Sequence, residues 1–269
     1  MTARAPVLFV SHGSPTFAID PGRLGPALTA LGQAWRDVKA VLVVSPHWQT
    51  RELAVTLSRQ PETVHDFGGF PPALYRLQYP VPDPLPYASQ AVQALARAGH
   101  AVQGDEQRGL DHGAWVPLMH LLPVGSDGRA PLPVFQVSLP IHFGTADAWR
   151  LGQALAPLRD AGIAVVGSGS MTHNLRDVQW ADNAAPVPYV EAFAAWVRDA
   201  VARADDKSVM DYRQQAPHAA RAHPTEEHFL PLLVALGARD ADEAPFMLDA
   251  DITHGSLSMA SFAWGTPAQ

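Results

Sequence analysis

The stretch Val7-Leu-Phe-Val-Ser-His-Gly-Ser-Pro15 joins a short apolar run to a histidine and a turn. Two later stretches share this design: Val41-Leu-Val-Val-Ser-Pro-His-Trp48, and Ile163-Ala-Val-Val166, which is followed by a glycine- and serine-rich segment that leads to His173. Such runs are too continuous for half-exposed strands and too short for helices, which is typical of buried parallel strands. A fourth strand is predicted at Val134–Ser138.

Amphipathic segments, with apolar residues at three- and four-residue spacing, alternate with these strands and predict helices. They are Arg23–Trp35, Tyr87–Ala98, Ala148–Asp160, Tyr189–Arg203 and Glu226–Leu236, the last with Thr225 as its N-cap. The alternation predicts an α/β fold with a mostly parallel central sheet flanked by helices. Because 269 residues, 47% of them hydrophobic, are enough for one large core, residues 1–269 are predicted to form a single domain.

Histidines follow three of the predicted strands, at His12, His47 and His173. Ligands of open α/β sheets bind beyond the carboxyl ends of the strands, so these side chains are expected to be neighbours there. His112 and His228 stand at predicted loop-to-helix junctions and are expected at the same edge. The chain has no cysteine, which leaves histidine and carboxylate as its strong metal ligands. A metal site is therefore predicted at the carboxyl ends of the strands.

The third ligand of this predicted site stays open between two neighbouring residues. Glu227 precedes His228, and a triad of two histidines and one carboxylate is a common metal-binding set. Acidic residues also favour the start of a helix, because they complement the helix dipole there. The sequence alone thus admits either His228 or Glu227 as the ligand.

A proline-rich stretch, Pro61–Pro86, predicts a long ordered loop or lid. Long loops in compact domains usually line a site, so its segment His65–Phe70 is a candidate wall of the pocket. From this segment we expect His65 and Phe67 to contact a substrate, and His223 is a further candidate. His254 could also reach the site, whereas we assign a structural role to the remaining histidines: His100, His120, His142 and His218.

Several classes of protein are disfavoured. A formal net charge of −7 argues against binding to nucleic acid or to an anionic membrane surface. The chain lacks a dinucleotide-binding fingerprint, a phosphate-binding P-loop, a G-x-S-x-G serine elbow and an H-E-x-x-H zinc motif. The apolar stretch near the N-terminus is too short for the core of a signal peptide, and no apolar run approaches the roughly 20 residues of a membrane span. These features predict a cytoplasmic protein.

Seven motifs, in order along nearly the whole chain, resemble those of the class III extradiol ring-cleaving dioxygenases, in particular the 4,5-DOPA dioxygenase group. They are Ser11-His-Gly-Ser-Pro15, Ser45-Pro-His-Trp48, His65-Asp-Phe-Gly-Gly-Phe-Pro71, Leu110-Asp-His-Gly-Ala-Trp115, Thr172-His-Asn174, Pro224-Thr-Glu-Glu-His-Phe-Leu-Pro231 and His254-Gly-Ser-Leu-Ser-Met259. The resemblance implies a catalytic α/β domain with a non-haem metal, which opens a DOPA-like catechol with O2 next to its hydroxyls to give a semialdehyde. Two departures are Pro46, where alanine is common, and Glu226, where proline is common.

Carried over to this sequence, the resemblance implies that His12, His47 and His228 are the metal ligands. It also implies that His173 is close enough to coordinate the metal in a resting state, and that His112 and His173 form an acid–base pair. We expect His173 to take a proton from the substrate, because imidazole titrates near neutral pH. His112 is expected to return a proton as the ring rearranges.

The implied cofactor is one divalent metal per chain, Fe(II) for activity, with Zn(II) expected in purified protein because zinc binds such ligands more tightly. The implied partners are a small catechol and O2, and the oligomeric state is left open. Two other functions are compatible with a histidine-rich site: a zinc-dependent hydrolase, and a metal-binding protein without catalytic activity. The presence of both His112 and His173 favours the dioxygenase over a pure binding protein.

Overall fold

An eight-stranded sheet organises the computed structural model, which describes residues 4–180, 184–248 and 250–265. Its strand order is β4-β3-β5-β2-β6-β1-β10-β7. The strands are β1 (Val7–Ser11), β2 (Ala40–Thr50), β3 (Leu53–Thr56), β4 (Val102–Asp105), β5 (Val134–Pro140), β6 (Ile163–Gly169), β7 (Phe246–Leu248) and β10 (Ser261–Trp264). A separate two-stranded sheet pairs β8 (Ile252–Thr253) with β9 (Leu257–Ser258).

The four strands predicted from apolar runs form the middle of this sheet. β5, β2, β6 and β1 are neighbours and run parallel, with Val41 beside Val134 and Val7 beside Val165. All residues of β1, β5 and β6 are buried, as expected for strands that are covered on both faces. The prediction of a mostly parallel α/β sheet is confirmed. In the described part of this eight-stranded sheet, the antiparallel pairs are β3–β5, β1–β10 and β10–β7.

Helices cover both faces of the sheet. They are α1 (Leu24–Gln33), α2 (Leu85–Arg97), α3 (His112–Leu121), α4 (Thr145–Leu155), α5 (Pro188–Ala202), α6 (Asp206–Met210), α7 (Tyr212–Gln215), α8 (Ala219–Ala222) and α9 (Leu230–Ala238). One core layer contains apolar residues of α2, α4, α5 and α9, and the other contains those of α1 and α3. Val7 and Phe9 face the first layer, whereas Leu8 and Val10 face the second, as strand alternation requires. No helix among the described residues is long and apolar enough to cross a membrane.

The last predicted helix begins later than expected. The prediction of a helix over Glu226–Leu236 with Thr225 as N-cap is wrong at its start, because α9 begins at Leu230 after a turn. Pro231 accounts for the later start: it lacks an N–H and its ring clashes with the preceding turn, so proline is favoured in the first turn of a helix, which is where Pro231 lies in α9. His228 therefore lies in an irregular turn rather than on a helix. Similarly, the segment Ala148–Asp160 is divided into α4 and a short 3₁₀ helix, Ala156–Ala161, with Pro157 in its first turn.

Candidate metal centre

Five histidines from separate parts of the chain meet at one edge of the sheet. His12 follows β1 and His173 follows β6, whereas His47 lies within β2, which is longer than predicted. His112 is the first residue of α3, and His228 lies in the turn before α9. The ring centroids of His12, His47 and His228 are 5.0 to 5.5 Å apart. One ring nitrogen from each of these three lies within 4.8 Å of the other two.

Two glycines of β6 allow the turn that carries His228 to approach the sheet. A Cβ atom on Gly169 would lie 2.3 Å from the carbonyl oxygen of His228, and one on Gly167 would lie 2.0 Å from that of Pro231. Ser170 donates its backbone N–H to the His228 carbonyl at 2.9 Å. The backbone of His228 is thus held directly against the end of β6, where a side chain on either glycine would displace it.

Hydrogen bonds determine which ring nitrogen of His12 carries a proton. The hydroxyl of Ser168 donates to the carbonyl oxygen of Gly113, so its oxygen must accept from His12 Nδ1, which lies 3.0 Å away. The proton of the neutral imidazole is therefore on Nδ1, and the unprotonated Nε2 keeps its lone pair. This Nε2 atom lies 3.2 Å from Nε2 of His47.

His228 is held in the same manner by a carboxylate. Glu227 Oε1 lies 3.0 Å from His228 Nδ1 and accepts a hydrogen bond from the Thr225 hydroxyl, also at 3.0 Å. Nε2 of His228 is buried and has no hydrogen-bond partner in the described parts of the chain. Glu227 thus contacts the Nδ1 edge of the ring, as a carboxylate that orients a metal-bound histidine does. This arrangement favours His228 over Glu227 as the ligand.

The donor set fits a divalent metal. The unprotonated Nε2 of His12 lies 3.2 Å from Nε2 of His47, where a cation could accept a lone pair from each ring, and the buried Nε2 of His228 has no hydrogen-bond partner among the described residues. Metal–nitrogen bonds of about 2.0–2.1 Å place neighbouring ligand atoms roughly 3 to 3.4 Å apart. The separation of the His12 and His47 nitrogens lies in that range, so these residues could hold an ion with little rearrangement.

Burial keeps these imidazoles neutral. It lowers the pKa of His12 and His228 well below the usual value, and the neighbouring histidines lower it further. Burial, with the adjacent His112, also lowers the pKa of His47 to about 4. Since a metal binds only unprotonated imidazole, the three side chains are ready for it at pH 7.

The two other histidines flank this group on different sides. The ring of His173 stacks on that of His228, with centroids 3.5 Å apart and planes 7° from parallel. His112 lies against His47, with centroids 3.9 Å apart. Burial lowers the pKa of His173 to about 4, although the charge of Glu227 acts in the opposite direction. His173 is therefore unprotonated at neutral pH and able to accept a proton.

Comparison with known proteins assigns the chain to a family. A family model described as the catalytic LigB subunit of aromatic ring-opening dioxygenase matches residues 7–261. The chain belongs to the LigB family. Membership confirms the predicted enzyme class, an aromatic ring-opening dioxygenase, and the resemblance on which that prediction rested.

Individual proteins are similar to this chain over almost their whole length. A 4,5-DOPA dioxygenase extradiol from Beta vulgaris is 37% identical over 261 residues, which cover 94% of each chain. A protein of the same name from Escherichia coli (strain K12) is 36% identical over 98% of this chain and 96% of its own. Among solved structures, an uncharacterized protein from Escherichia coli K12 matches with a TM-score of 0.78 and 31% identity, covering 97% of this chain and 99% of its own.

Aromatic side chains of the segment His65–Phe70 form one wall of this LigB-family site. Phe67 meets the ring of His112 edge to face, with centroids 5.7 Å apart, and also packs against Tyr75 and Trp115. His65 lies behind Phe67, and its Nε2 is 3.0 Å from the carbonyl oxygen of Leu77. The structure thus places Phe67 in contact with the histidine group, whereas His65 contacts Phe67 and the backbone of Leu77.

His223 occupies a different environment from the other candidates for substrate binding. Its side chain is fully buried among Phe193, Tyr212 and Phe229, and its Nε2 lies 2.9 Å from the carbonyl oxygen of Met171. Burial lowers the pKa of His223 to about 3. A substrate could touch this ring only if the surrounding packing were rearranged.

Two residues that shape the site were not singled out from the sequence. Asp66 lies in the segment His65–Phe70, which was considered only for its aromatic residues. A carboxylate between His65 and Phe67 is the feature from which its role could have been predicted. It is 3.0 Å from His112 Nδ1 and 3.7 Å from His47 Nδ1. Burial opposes its ionisation, but contact with His112 outweighs burial and lowers the pKa of Asp66 to about 2. Ser168, the partner of His12, gave no signal in the sequence.

Proposed function

We propose that this protein is an extradiol dioxygenase that opens the ring of a DOPA-like catechol beside its hydroxyl groups and releases a semialdehyde, and that residues 1–269 act as one catalytic domain. The observation that carries the proposal is the convergence of His12, His47 and His228, in which the hydrogen bonds at Nδ1 of His12 and His228 leave their Nε2 atoms unprotonated. The relatives named 4,5-DOPA dioxygenase extradiol support the substrate class.

We assign the metal to these three residues, with His173 near enough to approach it. A divalent metal, Fe(II) in the active enzyme, would supply the Lewis acid that makes catechol hydroxyls more acidic and the electron transfer that O2 requires. The same ligands bind zinc at least as well, so Zn(II) is the proposed occupant of purified protein. Ser168 and Glu227 would hold His12 and His228 in the required tautomer.

The proposed work of the two flanking histidines is proton transfer. His173 is neutral at pH 7 and stacks on a ligand ring, so its unprotonated nitrogen could take the proton from a catechol hydroxyl that arrives at the same place. His112, whose ring lies against that of His47, would hold the proton that returns to the product. Phe67 would present its ring to the aromatic substrate.

The test is oxygen consumption with a defined metal. Protein stripped of metal is loaded with Fe(II) without oxygen, mixed with DOPA or a simpler catechol, and exposed to air while oxygen uptake and a yellow semialdehyde are followed. We expect both signals with Fe(II) and neither with Zn(II). Absence of oxygen uptake with every catechol tested would refute the proposal. Hydrolysis of an ester or amide panel by the zinc form, without oxygen, would support a hydrolase instead.

The surroundings of the reaction complete the proposal. The partners would be the catechol and O2, and neither nucleic acid nor a membrane has a part. A cytoplasmic location stays a prediction from the sequence, and the proposed reaction does not depend on the oligomeric state.

A further inference from the structure

Asp66 belongs to the long loop and contacts the histidine group. We propose that Asp66 is a positioning residue for His112, so that the loop segment that forms the aromatic wall also sets the orientation of one member of the acid–base pair. This inference rests on the proposed function only for the role of His112 in proton transfer. The placement of the His112 ring by Asp66 is a separate claim, which can be tested without a substrate.

One oxygen of Asp66 engages His112 at two points. Oδ1 accepts the backbone N–H of His112 at 2.9 Å and lies 3.0 Å from its Nδ1. The side-chain approach is not well aligned for a hydrogen bond, as is common at catalytic residues without substrate. A carboxylate can only accept, so the Nδ1 edge that faces it carries the proton and Nε2 has the lone pair. Asp66 would thus select both the ring orientation and the tautomer of His112.

The nearer candidate in sequence, Asp111, is committed elsewhere. Its carboxylate accepts hydrogen bonds from Ser45, Arg108 and Gln136, at 2.7 to 2.9 Å, and it caps α3 through the backbone N–H of Ala114. Asp111 is fully buried, so these contacts account for its side chain. It fixes the start of the helix on which His112 stands, and Asp66, 46 residues away, is left to orient the ring.

The base of the loop is anchored well enough to give Asp66 this role. Val64 donates its backbone N–H to the carbonyl oxygen of Leu110 at 2.8 Å, and Leu110 donates to that of Glu62 at 2.7 Å. The indole of Trp115 donates to the Val64 carbonyl at 2.9 Å. These bonds join the residues before Asp66 to those that flank His112. Backbone pairing therefore fixes the distance between the Asp66 backbone and the His112 ring, so the contact does not depend on the side-chain conformation of Asp66 alone.

Phe67 gives the same loop segment a second contact with His112. Its ring meets that of His112 edge to face, and the side chain of Asp66 remains 24% exposed beside it. A substrate that packs on Phe67 would thus touch the segment that orients His112. Binding and proton transfer would share one structural element, which is how an aromatic substrate could be aligned with its acid–base group.

The experiment compares Asp66→Asn with Asp66→Glu. The matched control is Asp83→Asn, the same change in the same loop, at a carboxylate that contacts Arg59 and the N-terminus of α2. Zinc-loaded protein labelled with ¹⁵N-histidine reports the tautomer of each ring by NMR. Fe(II)-loaded protein gives kcat and KM with a catechol, and metal content and Tm are measured for every variant.

We expect His112 to carry its proton on Nδ1 in the parent protein and in Asp83→Asn, and to become a mixture of tautomers in Asp66→Asn. In the iron form, Asp66→Asn should lower kcat about 10- to 100-fold, with metal content retained and KM changed less, and Asp66→Glu should recover part of the loss. An unchanged tautomer of His112, or loss of the metal in Asp66→Asn, would overturn the proposal. A tautomer change in an enzyme that is inactive on all catechols would support the positioning role and refute the proposed function alone.

Discussion

The site has two halves of different construction. The sheet-borne half consists of His12, which follows β1, and His228, whose turn packs against the end of β6; they are 2% and 6% exposed and are held by Ser168 and Glu227. The loop-borne half consists of Asp66 and Phe67, which are partly exposed and belong to a long segment between β3 and α2. The difference indicates two tasks: the sheet-borne half would keep a metal in place, and the loop-borne half would orient His112 and contact the substrate.

Removal of a ligand from the sheet-borne half should have the largest effect. His12→Ala and His228→Ala each remove one of three converging nitrogens, so we expect bound metal to fall below about a tenth of the parent level and turnover to fall on the order of 10,000-fold or more. Metal analysis and oxygen uptake measure the two effects. His142→Ala, at an exposed histidine, is the matched control and should leave both unchanged. A His12→Ala variant with full metal content would remove the distinction between the halves.

His173 tests whether a flanking histidine differs from a ligand. His173→Ala removes the ring that stacks on His228 but leaves the three converging nitrogens in place. We expect metal content to be largely retained and kcat to fall about 100- to 1,000-fold, which is typical of a lost general base. Single-turnover measurements with metal analysis separate these effects. Loss of all metal together with activity would make His173 a fourth structural ligand.

Acid should destabilise the core that supports the sheet-borne half. Burial lowers the pKa of His223 to about 3, whereas in the unfolded chain it has the usual value near 6.5, so between these values the unfolded state binds the extra proton. The free energy of unfolding should therefore decline as pH falls from about 6.5 towards 3, by up to about 1.4 kcal/mol per pH unit for this group.

Urea unfolding of metal-free protein at several pH values measures this decline. His223→Phe suits the aromatic surroundings and removes the titrating group. It should therefore reduce the slope of the unfolding free energy against pH, by the equivalent of up to one bound proton, whereas His142→Phe should leave that slope unchanged. Equal slopes in all three proteins would show that His223 has no part in the acid sensitivity.

Truncation in the loop-borne half should have the smallest effect. Phe67→Ala removes one aromatic ring from the wall, and aromatic pairs contribute about 0.5–1.5 kcal/mol beyond burial, so KM for a catechol should rise about 2- to 10-fold. Metal content should not change, because no atom of Phe67 belongs to the donor set. Steady-state kinetics on the iron form measure the shift. An unchanged KM would place the substrate away from this wall.

The central strands of the sheet could be predicted from the sequence, whereas the outer strands could not. The apolar runs of β1, β2, β5 and β6 were predictable, because strands buried on both faces need continuous hydrophobic residues. The outer strands were not: β4, Val102–Asp105, contains glutamine, glycine and aspartate, and its pairing depends on the neighbour β3. The start of α9 was mispredicted because Glu226 and Glu227 resemble a helix N-terminus, whereas Pro231 fixes the true one.

The candidate site was predictable to a similar extent. Histidines that follow strands converge by topology, so His12, His47 and His173 could be placed together from the sequence. Their partners could not, because Ser168 meets His12 across 156 positions and Asp66 meets His112 across 46. Such contacts form only when separate elements pack together in the folded chain, and no local sequence pattern indicates which residues will meet.

The most direct test of the central claim is a crystal structure of the zinc-loaded protein with anomalous scattering at the zinc edge. The account predicts one zinc ion bonded to Nε2 of His12, His47 and His228 at about 2.0–2.1 Å, with Ser168 and Glu227 still on the opposite nitrogens of His12 and His228. An ion at another position, or one bound without two of these three nitrogens, would contradict it.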